Sequence, residues 1–165
     1  MNVFTSRFLL ALAVGFVALT AAADQKPTFT FNQIEFFHRW SKNNQHEFTP
    51  ANQENLEKWI DMMTINAYPD IRDGEGLADR ANAVLENYKG HRGRVFKTNS
   101  VPRTSAHPAE HFIAVMFVRP GATEIAFARF KMVDGKGYSL VYSHRLSGDD
   151  AKKSDAWFER QREGD

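Results

Sequence analysis

Phe112-Ile113-Ala114-Val115-Met116-Phe117-Val118 is the stretch on which the organisation of this chain turns. An unbroken apolar run puts apolar groups on both faces of an extended segment, and a strand carries that pattern only where both faces are covered. It therefore reads as a central strand. The residues after it fall into antiparallel order. Arg119-Pro120-Gly121 is a turn, with proline presetting φ and glycine free to take positive φ. Glu124 to Met132 then alternates, with Ile125 and Phe127 on one side and Ala126, Ala128 and Phe130 on the other. Asp134-Gly135 signals a hairpin. Tyr138 to Leu146 returns, with Tyr138, Leu140 and Tyr142 opposite Ser139, Val141 and Ser143. Gly148-Asp149-Asp150 opens a closing helix whose packing residues are Ala151, Trp157 and Phe158, its two acids favourable at an N-terminus.

Upstream, Arg94 to Thr98 is a further strand. Asp73 to Tyr88 is a helix, since Leu77, Ala81, Val84, Leu85 and Tyr88 recur along one stripe. Asp73 suits its N-cap, and Gly90 stands where a left-handed C-terminal residue is wanted. Trp59 to Tyr68 alternates as a strand, with a helix starting at Asn52 competing for its first half. Thr28 to Trp40 supplies a strand or two, Lys42 to Glu47 reads as a polar turn, and Pro50-Ala51-Asn52 breaks the chain.

Strands, helix, three or four antiparallel strands and a helix make an α+β fold, with about two helices packed on an antiparallel meander. This order, together with Glu57-Lys58-Trp59-Ile60-Asp61-Met62-Met63-Thr64-Ile65, resembles the PsbP/Mog1-like group of small α/β sandwiches, over residues 28–162. The resemblance implies a non-catalytic scaffold. The group spans a photosystem II accessory subunit, a nuclear-transport cofactor and exported bacterial members of unknown role, so it implies no shared ligand and transfers no site residue. A cystatin- or NTF2-like cone is the competing architecture.

Residues 1–23 read as a secretory signal peptide. Arg7 precedes the apolar run Phe8 to Leu19, and Ala21 and Ala23 stand at the positions signal peptidase reads. That run is shorter than the roughly 20 residues a bilayer span needs. The expected mature chain, residues 24–165, is one domain of about 140 residues, long enough for a real core. There is no cysteine, which excludes a lipid-anchored lipoprotein, a disulfide framework and thiolate metal ligation. No Asn-x-Ser/Thr sequon occurs, which favours a bacterial periplasmic or extracellular destination. Lys and Arg number 21 against 20 acids, and the leader holds only Arg7, so the remainder is formally neutral. Neutrality argues against a dedicated nucleic-acid binder.

Catalytic patterns are sparse. His107-Pro108-Ala109-Glu110-His111 spells H-x-x-E-H, in which two histidines on one helical face bind zinc while the glutamate activates water. Here Pro108 and the strand-like residues that follow argue against a helix, and on a strand Glu110 points away from both histidines. No third ligand is signalled. His38, His46 and His91 are expected at exposed strand ends or loops, and His144 as a hydrogen-bonded, partly buried residue. Ser139 lacks the second glycine of a nucleophile elbow, and neither a phosphate loop nor a dinucleotide fingerprint occurs. No cofactor is expected.

Charge is segregated along the chain. Glu54, Glu57, Asp61, Asp70, Asp73, Glu75, Asp79 and Glu86 crowd residues 54–86, whereas residues 87–109 hold Lys89, Arg92, Arg94, Lys97 and Arg103 without an acid. Arg92, Arg94, Lys97 and Arg103 are the candidate binding patch, for an anionic envelope component or an acidic protein. The duller reading is that these cations complement the electronegative helix end and the acidic segment. The expectation is an exported accessory or binding protein. A small zinc hydrolase using His107, Glu110 and His111, or an envelope inhibitor or immunity-like protein, are the alternatives.

Overall fold

The structure, a computed structural model, describes residues 26–119 and 122–154. Its strands are β1 (Phe29–Phe31), β2 (Ile34–Lys42), β3 (Gln45–Pro50), β4 (Asp61–Tyr68), β5 (Arg94–Val101), β6 (Glu110–Arg119), β7 (Ala122–Val133) and β8 (Lys136–Ser147). A single helix, α1 (Gly74–Gly90), separates β4 from β5, and residues 148–154 are helical again. All eight strands form one antiparallel sheet in the order β1-β2-β3-β4-β8-β7-β6-β5. Two meanders, β1–β4 and β5–β8, thus join through β4 and β8. The helix carries the chain from mid-sheet to the far edge, packing on β5, β6 and β7 on the way. This is the expected α+β class, with more strands than the sequence pattern resolved.

Tight turns account for the extra strands. Asn32-Gln33 and Asn43-Asn44 all take positive φ, the two-residue hairpin geometry whose twist matches the strands it joins. The polar stretch 42–47 is therefore only a turn at Asn43-Asn44, and Gln45 onward is strand. No helix forms after Asn52. Instead the Gln53 side chain accepts the backbone N–H groups of Ile60 (2.6 Å) and Asp61 (2.7 Å), fixing the loop into β4. Trp59 lies before β4, buried, with the Arg145 guanidinium 3.7 Å above its ring.

Asp73 caps α1 as expected, accepting the Gly76 N–H at 2.8 Å. The helix exit differs from expectation. Gly90 is still helical, and the left-handed residue is Arg92, at φ 62°. The glycine the exit requires is Gly93, where a Cβ would stand 2.7 Å from the Tyr88 carbonyl oxygen and from Val115 Cγ2. Close packing of the helix end onto the sheet, rather than a turn, fixes that residue.

Under α1, Leu77 and Ala81 meet Ile113, Ala128 and Phe130. The strand β6 is covered on both faces only over Ile113, Ala114, Val115 and Met116. Its helix-facing residues meet α1, and on the other face the hydroxyl of Ser154 reaches Met116 Sδ at 3.5 Å while Ala151 is buried. It is not central, however: β6 is second from the edge, Phe117 is half-buried and Val118 is exposed. Pro120, Gly121, Trp157 and Phe158 lie outside the described residues, as does the expected leader.

Candidate functional site

Strand alternation sorts the sheet into a face covered by α1 and a second face, which the helical residues 148–154 cover at Met116 and which is otherwise called the open face. On the second face stand Phe112 of β6, Phe127 and Arg129 of β7, Leu140, Tyr142 and His144 of β8, and Asp61, Met63 and Ile65 of β4, as the pairings Phe112↔Arg129, Phe127↔Tyr142 and Met63↔Tyr142 require. The aromatic members form a continuous row. Phe112 and Phe127 have ring centroids 6.4 Å apart, and Phe127 and Tyr142 are also 6.4 Å apart, with planes nearly parallel in both pairs. Phe96, the extra residue of the β5 bulge, meets Phe127 edge-on at 6.1 Å.

At the other end Phe31 lies 5.7 Å from Tyr142. In the sheet, β1 is four places from β8, which on a flat surface is about 19 Å at roughly 4.8 Å per strand. The contact requires the β1–β4 half to curl over this face, around Phe36, Phe48 and Met63. The row therefore lines a concave surface, and it is not closed: Phe31 is 44% exposed, Phe96 42% and Phe127 37%.

Charge on this face is basic. Arg94, Lys97, Arg129, Lys131 and Lys136 share it by register, against Glu110 and Asp61. Glu110 is bound by Lys131 (2.8 Å) and by Arg129, bonds that outweigh its burial and hold its carboxyl below the usual range. Asp61 Oδ1 accepts the Tyr142 hydroxyl and His144 Nδ1, each at 2.7 Å. Burial raises the Asp61 pKa, but hydrogen bonds from His144, Tyr142 and Gln53, with the His144 charge, bring it below the ordinary value.

The four patch residues divide. Arg94 and Lys97 stand on the open face. Arg92 lies in the turn after the C-terminal end of α1, whereas Arg103 lines a groove of about 300 Å³ with Asp73 and Gly74 at the helix N-terminus. A helix of 17 residues separates them, about 25 Å at 1.5 Å per residue. The H-x-x-E-H motif also comes apart. His107 is in an exposed loop, closed by Thr104, whose hydroxyl accepts the His107 N–H at 3.0 Å. Glu110 faces the open side. His111 faces α1, bonded through Nδ1 to Ser100 Oγ at 2.9 Å, with Nε2 buried and unpartnered and its pKa lowered by burial. No helix holds the motif, because these residues begin a strand, and the hydrolase geometry is absent. Among the described residues no group of three or more His, Asp or Glu is placed to hold a metal.

The aromatic row was visible in the alternation of Phe127 and of Tyr142, but its continuity depends on strand order, which the alternation does not contain. A protein-family model matches residues 23–164, and the chain belongs to that family. No curated protein sequence matches it. Similar solved structures include the Ran-binding protein Mog1p of Saccharomyces cerevisiae and a mutant of protein Mog1, each 11% identical, with TM-score 0.49 and 73% of either chain covered. The resemblance drawn from the sequence was to the PsbP/Mog1-like group.

Proposed function

We propose that this chain is an exported accessory protein that binds an acidic, partly apolar partner on the concave face of its sheet. The observation that carries the reading is the half-exposed row Phe31, Tyr142, Phe127, Phe112 and Phe96, flanked by Arg94, Lys97, Lys131 and Lys136. Aromatic rings supply contact area at small entropic cost, and surrounding cations select acidic partners and speed their encounter. Export rests on the leader pattern of residues 1–23 alone. No helix among the described residues is long and apolar enough to cross a membrane.

The test is a comparative pull-down from the envelope fraction of the source cell, using mature wild type and Phe127→Ser. Proteins captured by wild type and lost in the variant support the reading. Identical capture by a variant of unchanged melting temperature overturns it.

A further inference from the structure

We propose that His38 and His46 form a two-histidine site for a divalent first-row transition-metal ion, most strongly Cu²⁺. Ser41 Oγ lies 2.6 Å from His38 Nε2 and 2.7 Å from His46 Nδ1, so both ring nitrogens are aimed at one point. This is the convergence that His107 and His111 lack. The backbone produces it. In a regular strand residues three apart face opposite ways, but the register of β2 slips between His38 and Trp40, where Arg39 is the extra residue. The bulge returns His38 and Ser41 to the same face. Ser41 pairs directly with His46 across the tight Asn43-Asn44 turn, so the three groups sit on a short, closed hairpin. Phe48 braces the His38 ring edge-on, with centroids 5.4 Å apart.

A serine hydroxyl has one proton, so it donates to one imidazole and must accept N–H from the other. Rotation of Ser41 away, with both nitrogens presenting lone pairs, leaves two imidazole donors around a shared point. Such donors suit copper, nickel and zinc rather than magnesium or calcium. No third His, Asp or Glu joins them among the described residues. Two protein donors leave the remaining positions to water or to a ligand carried by another molecule, which makes the site an open one. The inference does not depend on the docking reading.

The test titrates mature protein with CuCl₂, ZnCl₂ and MgCl₂ by calorimetry, with electron paramagnetic resonance on the copper sample. One equivalent of Cu²⁺ should bind, more tightly than Zn²⁺, with nitrogen hyperfine structure, and Mg²⁺ should not bind. His38→Ala and His46→Ala should each weaken Cu²⁺ binding at least tenfold, while His91→Ala leaves it unchanged. Circular dichroism confirms that each variant is folded. Absence of Cu²⁺ binding, or binding that survives both substitutions, would show that the trio is only a hydrogen-bonded surface cluster.

Discussion

Asp61 is the residue at which burial and hydrogen bonding oppose one another most openly. Desolvation favours its protonated form, yet His144, Tyr142 and Gln53 donate to the ionised one and prevail. A carboxyl depressed in the folded state contributes stability above its unfolded value, about 3.9, and that contribution is lost as pH falls through the folded value. Asp61→Asn keeps the shape and removes the charge. Its melting temperature should fall below wild type at pH 7, and the gap should close as the pH is lowered past about 4. A gap independent of pH would refute this linkage. Asp61→Ala goes further, leaving the Tyr142 hydroxyl without its acceptor, and should cost about 1–3 kcal/mol by chemical denaturation. The sequence placed His144 as hydrogen-bonded and half-buried, as it is. It could not name the partner, because the Asp61–His144 pairing spans β4 and β8 and exists only once the two meanders join.

At the scale of elements, β6 shows how apolar pattern reports burial but not position. The run Phe112 to Val118 implied cover on both faces, and the structure supplies it for Ile113 to Met116. Position in the sheet depends on where α1 delivers β5, a long-range matter that periodicity does not encode. The cost of truncation should follow burial. Phe130→Ala, at a fully buried ring under α1, should lose about 3–5 kcal/mol, whereas half-buried Phe117→Ala should lose less in the same denaturant series. Equal losses would mean that the β6 end is packed as tightly as the core. Gly93→Ala probes the helix exit. Its methyl would meet the Tyr88 carbonyl oxygen and the Val115 side chain, and the expected destabilisation is about 1–3 kcal/mol. Gly90→Ala meets nothing within 4 Å and should be neutral or mildly stabilising, the reverse of what a left-handed Gly90 would give.

For the whole molecule, the two faces of the sheet differ in charge, although the charge blocks of the sequence do not map onto them one to one. Glu75, Asp79 and Glu86 lie exposed on α1, on one side of the sheet, while Lys97, Lys131 and Lys136 lie on the other. The second face thus holds cations in excess of acids, whereas on the helix side Arg80 and Lys89 of α1, with Arg92 and Arg103 at its two ends, accompany the acids. Placement, not total charge, should therefore govern attraction to acidic surfaces. Two double variants separate these effects, since both change the net charge by the same amount. Lys97→Glu with Lys136→Glu alters the open face, and Arg92→Glu with Arg103→Glu alters the two ends of the helix side. Arg129 and Lys131 are left alone, because reversing them would also strip Glu110 of its partners. On a carboxylate matrix at low ionic strength the first variant should elute clearly earlier than the second. Because surface fields fade within about 8 Å at physiological salt, the difference should shrink as salt rises. Melting temperatures should stay close to wild type, as exposed substitutions typically change stability by less than about 0.5 kcal/mol. Equal elution of the two variants would mean that the open face carries no field of its own, and docking there would then have to rest on the aromatic row alone.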